Sequence, residues 1–265
     1  MSARSYLFVP GHRPEMMRKA VTAGADEVIY DLEDAVPDDA KDVARGCVTT
    51  ALAETPAWVR VNAVKTSACE RDLIAVGDVV AGIRLPKVAS ANDVAWAAER
   101  LPPGTPLLVA IETAAGVLAV ADIARAGGVV RLAMGGLDLR ADLGTSSREG
   151  LLYAAGAIVV ASRAAGLPAP VDSVYPRVRD TRGLADECRW SRSVGFGGKS
   201  AIHPGQLTVI HEAFGATSAE RAWAREILAA HERNQGEPTV TDDGEFIDAP
   251  VVVRAQAILK SRDRS

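Results

Sequence analysis

A chain of 265 residues, 48% hydrophobic but only 5% aromatic, has enough Ala, Val, Leu and Ile to bury one large core, and a single barrel-sized domain suits that length. Its net charge of −4 lacks the basic excess of a nucleic-acid groove, so no nucleic-acid partner is expected. Cys47, Cys69 and Cys188 are odd in number, widely separated and without CxxC spacing, which argues against a disulfide framework and against a zinc site.

Residues Arg4 to Pro10 form a strand-like start with no charged-then-apolar leader before it, and the most apolar later segment, 151–161, is too short to span a bilayer. A cytoplasmic protein with no membrane partner is the expectation. Strand-like and helix-like segments then alternate at intervals of roughly 25 to 35 residues, the rhythm of βα units. Strands are predicted at 5–9, 27–31, 57–62, 82–87, 107–112, 129–134, 169–174 and 198–202, and helices at 14–23, 39–53, 91–100, 113–126, 149–165 and 184–193. Asn92 and Asp180 stand at helix starts, Gly24 and Gly166 at stops.

Eight parallel strands with their helices describe a modified TIM (β/α)8 barrel over 1–217. A doubly wound sheet competes, but no GxGxxG follows a strand into a helix. After Ser218 the chain changes character: a charged helix at 219–233, a polar break at 234–237, an extended piece through Phe246 and a final helix at 249–262. This C-terminal helical extension, 218–265, lies beyond the eighth strand and must pack on the outside or reach a neighbouring subunit.

The stretch from Leu107 to Leu139 carries the chemistry. Glu112 ends one apolar strand, and a turn from Gly135 to Asp138 delivers a second carboxylate after the next, 26 positions on. On neighbouring parallel strands both acids emerge at the C-terminal edge, where α/β folds keep their sites. Two carboxylates with open positions beyond them suit Mg²⁺, which fills its octahedron with water and substrate. The plainer alternative makes Glu112 an acid at a helix N-terminus and Asp138 a turn former.

Other predicted strand ends are also polar: Pro10 to Arg13, Asp31 to Asp34, Arg60 to Asn62, Pro86 to Lys87 and His203. Arg60, between Val59 and Val61, points away from its apolar neighbours into the barrel mouth. There it either grips a carboxylate or pairs with Glu33 or Asp34. The acids of Asp31, Glu33 and Asp34 either support metal-bound water or pair with Lys41 and Arg45, and for Asp31 and Asp34 the structural reading is preferred. The four histidines show no HxxxH or HxH spacing, His203 reads as a rim-holding residue, and Ser146 and Ser147 lack the GxSxG of a serine hydrolase.

Assembled in order, these residues resemble the citrate lyase β-subunit-like group of the HpcH/HpaI aldolase superfamily. The carriers are Leu7 to Gly11 with Arg13, Pro14 and Glu15; Asp31 to Ala35 with Lys41, Ala44 and Arg45; Val59 to Asn62; Leu85 to Lys87; and Ile111 to Thr113 with Gly116. They continue with Gly135, Asp138 and Leu139, then Gly195 to Lys199 with Ala201 to Pro204 and Gln206. Each is weak alone; their order and spacing over nearly the whole length are specific.

The resemblance implies a modified TIM barrel that assembles as a homotrimer or hexamer. It also implies Mg²⁺-dependent carbon–carbon cleavage, or the reverse condensation, of a CoA-type thioester with a small 2-oxo acid: glyoxylate, pyruvate or oxaloacetate. Glu112 and Asp138 match the metal ligands, and Arg60, Glu112, Gly136 and Leu137 the substrate-binding positions. Glu33 and Asp34 stand around the metal, and Arg13 and Lys19 near the CoA phosphates. Asp248, in the segment Phe246 to Pro250, matches an acid/base that a neighbouring subunit supplies in trans, so the catalytic set is Asp248, Arg60 and Glu112.

Two departures bear on the substrate: Leu137 stands where the family has an acid, and Tyr175 to Arg177 replaces an acidic turn. Three alternatives accompany the lyase reading. They are a citrate lyase β subunit needing an acyl-carrier partner, a CoA-independent 2-oxo acid aldolase, and a non-catalytic metabolite-binding barrel.

Overall fold

The computed structural model describes residues 2–77, 79–241 and 244–260. They form two compact units, one from Ala3 to Ile210 and one from His211 onward.

Eight strands close the first unit into a barrel in sequence order: β1 (Ser5–Pro10), β2 (Glu27–Asp31), β3 (Trp58–Arg60), β4 (Gly82–Leu85), β5 (Leu107–Ile111), β6 (Val129–Met134), β7 (Val171–Asp172) and β8 (Gly198–Ala201). Every pairing, including β8 with β1, is parallel. Parallel strands need a crossover between them. These are the helices α1 (Pro14–Val21), α2 (Lys41–Glu54), α3 (Ser67–Val76), α4 (Ala91–Ala98), α5 (Ala114–Leu118), α6 (Val120–Arg125), α7 (Gly136–Leu143), α8 (Leu152–Ala164) and α9 (Thr181–Val194). The modified TIM barrel with extra C-terminal helices is therefore the observed fold.

The period-two alternation of a strand sorts the barrel interior into an apolar floor and a polar mouth. Tyr6, Ile29, Trp58, Leu108, Ala133 and Val171 pack together in one buried cluster. Two residues further along, the same faces carry Phe8, Asp31 and Arg60, which line the cavity at the mouth. Gly82 makes room for the floor: a Cβ there would lie 2.4 Å from the Trp58 ring.

Several elements differ from the sequence expectation for identifiable reasons. The third strand, predicted at 57–62, ends at Arg60 because the Asn62 amide leaves the ladder to donate to the Asp72 carboxylate at 2.7 Å. The seventh, predicted at 169–174, shrinks to two residues: Pro168 and Pro170 have no N–H to give, and the Ala169 carbonyl accepts from Arg131 Nε at 2.8 Å. Ser90, not Asn92, caps α4, its hydroxyl accepting from the Asp93 amide. Asp180 does cap α9, accepting from the Gly183 amide at 2.8 Å, and Gly24 and Gly166 adopt positive φ of 85° and 72° just past their helices. The predicted helix at 113–126 is two, meeting at Ala119. The α3 helix lies outside the helices the sequence predicts, and residues 136–143, whose start reads as a turn, are helical as α7.

In the second unit, α10 (Leu207–Phe214), which begins just before it, is followed by α11 (Ser218–Arg233), β9 (Thr239–Val240), β10 (Phe246–Ile247) and α12 (Ala249–Lys260). A capping box between Thr217 and Glu220 starts α11. Ala224, Ile227, Ala230, Ile247, Val252 and Ala255 form a core of their own. Arg262, predicted to end the last helix, lies outside the described residues. Among those described, no helix is long and apolar enough to cross a membrane.

Candidate functional site

The mouth of the barrel holds a cavity of about 320 Å³ lined by Phe8, Asp31, Arg60, Arg84, Glu112 and Asp138, with Leu137, Ser173 and Ile202. Glu112 and Asp138 are thus brought together, as expected. Glu112, one residue past β5, is 3% exposed, and its Oε1 accepts from the Lys87 amide at 2.6 Å. Lys87 makes that bond from a left-handed backbone conformation, φ 52°, which residues other than glycine seldom adopt. Oε2 lies against Gly135, where a Cβ would come within 2.1 Å of it. Asp138 is exposed on the first turn of α7, and the Gly136 amide at that helix start donates to Ser173 Oγ at 2.9 Å.

Arg60 is more heavily engaged than its sequence context suggested. Its fork closes on Asp31, Nε to Oδ1 at 2.7 Å and Nη2 to Oδ2 at 2.6 Å, and Nη1 lies 2.9 Å from Glu33 and 3.4 Å from Asp34. Asp31 is therefore the principal partner, ahead of the two acids expected. Burial opposes the guanidinium's charge, but these carboxylates hold its pKa well above the ordinary value. Lys87 Nζ completes the network, 3.0 Å from Glu33 and 3.7 Å from Asp34.

The expected pairing of this acidic turn with Lys41 and Arg45 is corrected. Lys41 Nζ donates to the Leu32 and Glu33 carbonyls at 2.7 and 2.6 Å, holding the turn by its backbone. Arg45 pairs with Asp72 at 2.7 Å and with Asp42.

Charge at the mouth favours a divalent cation. Asp31, Glu33, Asp34, Glu112 and Asp138 face Arg60, Lys87 and Arg84, five carboxylates against three cations. Burial pushes the Glu112 carboxyl up to about 7; Glu33 and Asp138 add to the rise, while Arg84 and the Lys87 amide oppose it. Among the described residues no cation pairs with Glu112 or Asp138, and no three His, Cys, Asp or Glu side chains cluster as a cage. Two oxygen donors with open space beyond them fit Mg²⁺, which keeps waters and substrate in its shell.

Arg84 also lines this cavity and is not among the sequence-predicted site residues. Its signal was present: a charge inside the run Gly82 to Leu85, the same anomaly as Arg60, with which it is in register across β3 and β4. The other predicted positions spread beyond this cavity, with Leu137 lining both it and the next. Gly136 and Leu137 border a second cavity of about 560 Å³, which shares Met134, Leu137, Ser173 and Val174 with the first and includes Arg140, Arg148 and Arg177. Lys199, fully buried, ties its wall together with Asp172 at 2.5 Å and Glu187 at 2.6 Å. His203 caps the turn that follows β8, its Nδ1 accepting from the Gly205 amide at 3.0 Å. Arg13 and Lys19 sit on exposed α1 and its cap, and neither lines the carboxylate cavity. In the second unit, Asp248 Oδ1 accepts from the Val251 amide at 3.3 Å, as a cap of α12.

Fold and site together define a (β/α)8 barrel with a carboxylate pair at its C-terminal rim, the class to which metal-assisted carbon–carbon chemistry is suited. Residues 4–204 match the model of the HpcH/HpaI aldolase/citrate lyase family, and the chain belongs to that family. It is 37% identical over 268 residues to a (3S)-malyl-CoA thioesterase of Cereibacter sphaeroides, covering 97% of this chain and 93% of that one. Among solved structures it resembles CitE of Mycobacterium tuberculosis in complex with magnesium, acetoacetate and coenzyme A. That likeness has a TM-score of 0.84 and 34% identity, over 98% of this chain and 97% of the other. The citrate lyase β subunit of the same organism, complexed with oxaloacetate and magnesium, superposes with a TM-score of 0.71 and 36% identity, over 80% and 97%.

Proposed function

We propose that this chain is a Mg²⁺-dependent carbon–carbon lyase that splits a 3-hydroxyacyl-CoA-type thioester into an acyl-CoA and a small 2-oxo acid, or joins them in reverse. The observation that carries the reading is the meeting of Glu112 and Asp138 in one cavity beside two arginines, on a barrel whose solved relative is in complex with magnesium, acetoacetate and coenzyme A. Glu112 and Asp138 are the residues to hold the ion. When bound, it supplies Lewis-acid polarisation of the oxygen on the carbon that becomes the 2-oxo centre.

The chain's own groups do the rest. Arg60, its position fixed by Asp31, presents positive charge to the substrate carboxylate, while Gly136 and Leu137 shape the wall beside it. Glu33 and Asp34 hold Arg60 and Lys87 in place. In cleavage the substrate hydroxyl loses its proton, the bond between its carbon and the thioester α-carbon breaks, and the electron pair left on the α-carbon takes up a proton. Asp248, supplied by a neighbouring copy in a homotrimer or hexamer, is the proposed donor of that proton. Arg13 and Lys19 are the proposed contacts to the CoA phosphates.

A second reading, thioester hydrolysis, rests on the identity with the malyl-CoA thioesterase. One experiment separates the readings: purified protein with Mg²⁺ is given a panel of 3-hydroxyacyl-CoAs, free 4-hydroxy-2-oxo acids and acyl-carrier thioesters, and products are identified by mass spectrometry. Acyl-CoA plus 2-oxo acid supports the lyase. Free CoA plus hydroxy acid points to hydrolysis. Turnover confined to the CoA-free or carrier-bound substrates moves the assignment to an aldolase or a citrate lyase β subunit, and full lyase activity in EDTA overturns the metal dependence.

A further inference from the structure

The inward-facing arginines of the barrel differ in how they are satisfied. Arg131 donates from Nε to the Ala169 carbonyl at 2.8 Å and from Nη1 to the Ala3 carbonyl at 2.6 Å and Tyr6 Oη at 3.1 Å, which leaves Nη2 alone without a partner among the described residues. Arg60 is closed by three carboxylates. Arg84 is 4% exposed, yet its buried Nε and Nη1 have no hydrogen-bond partner among the described residues. It lines the carboxylate cavity and rests over the Phe8 ring, Cζ 5.0 Å from the centroid, with Arg60 Cζ 4.9 Å from the same point.

A buried guanidinium with unmet donors is costly and persists where an anion comes to meet it. Its place in the wall of the carboxylate cavity makes the substrate the candidate anion. Arg84 is in register with Arg60 on β3 and with Leu108 on β5, and Glu112 follows just past the end of β5 in the wall of the same cavity. An oxo acid held through its first carboxylate and 2-oxygen at the rim must leave the open side of C2 to the incoming thioester. The remaining substituent on C2 then meets the cavity wall, of which Arg84 is part.

We propose that Arg84 is a substrate-contacting specificity residue that receives a second carboxylate, so that the site selects a four-carbon dicarboxylic 2-oxo acid over a monocarboxylic one; this rests on the lyase reading above. Nε and Nη1 lie on opposite sides of the guanidinium, and either can donate a charge-assisted hydrogen bond to one oxygen of a carboxylate. The neighbouring arginine cannot serve equally, because Asp31 already fills its fork.

The test is Mg²⁺-dependent binding of oxaloacetate and of pyruvate by calorimetry, with the condensation KM for each, in wild type, Arg84→Met and Arg84→Lys. Wild type is expected to favour oxaloacetate, and Arg84→Met to weaken oxaloacetate on the order of 100-fold while pyruvate shifts by no more than about 3-fold. Arg84→Lys should recover part of the difference. Thermal melting of Arg84→Met should not fall, since an unpaired buried cation gives way to an apolar side chain. Equal binding of the two acids by wild type, or equal losses for both in Arg84→Met, overturns the proposal and leaves the lyase standing. Absence of Mg²⁺-dependent binding of either acid to wild type removes the lyase reading and this inference with it.

Discussion

At the scale of single residues, the site is a matter of how closely two strands can approach. Gly135 is required because Glu112 occupies the space a Cβ would take, Cβ to Cβ at 2.4 Å, so the constraint reaches the base of the side chain and not only its flexible end. Gly135→Ala is expected to fold but to weaken Mg²⁺ binding by at least about 10-fold, as displaced supporting groups do at metal sites; calorimetry with Mg²⁺ checks this, and unchanged affinity would count against Glu112 as a ligand. Glu112, Asp138 and Arg60 were legible in the sequence because charge at the end of an apolar run is anomalous. Arg84 carries the same anomaly inside the run, one residue before the end of β4 rather than at its end. The role of Asp31 was hidden for another reason: the bidentate pair it forms joins residues 29 positions apart, and only the register of β2 with β3, Asp31 opposite Arg60, brings them together.

At the scale of elements, local capping decides boundaries that periodicity left open. At the start of α4, Ser90 accepts from the Asp93 amide, and Asp93 Oδ2 accepts from the Ala89 amide at 2.9 Å, with Lys65 Nζ 2.6 Å from its other oxygen. Burial pushes the Asp93 carboxyl up, but Lys65, the Ala89 amide and Ser90 together hold it below its ordinary range. Its contribution is therefore full above the unfolded carboxylate pKa and is lost as pH falls through the lower folded value. Asp93→Asn is expected to cost about 1 kcal/mol at neutral pH, the usual worth of such a cap, with the gap closing in acid; urea unfolding at neutral and acidic pH measures it, and a gap independent of pH would contradict the ion pair. Thr217→Ala, which breaks the capping box of α11, should likewise lower stability by about 1 kcal/mol in the same assay. Helices α3 and α7 are hard to see in the sequence because their starts carry turn-like residues: Thr66 caps the first, and Gly135 and Gly136 cap and open the second.

At the scale of the whole molecule, closure of eight strands in sequence order explains why distant polar residues meet at one rim. The alternating rhythm of strand and helix was enough to expect this, since parallel neighbours present their C-terminal ends together. The second unit is held by its own small core and hairpin, and Asp248 there is engaged as a cap at the start of α12. For the proposed role in a neighbouring copy, Asp248→Asn should slow turnover by about 100-fold or more, the usual scale of acid–base help, with Mg²⁺ affinity unchanged. A variant with wild-type turnover would leave Asp248 as a cap alone.

The most direct measurement is titration of Mg²⁺, with a 2-oxo acid present, into wild type, Glu112→Ala and Asp138→Ala, each first shown to melt cooperatively. One ion per chain is expected in wild type and none in either variant. Equal Mg²⁺ affinity in all three would place the ion elsewhere and contradict the chemistry assigned to this barrel mouth.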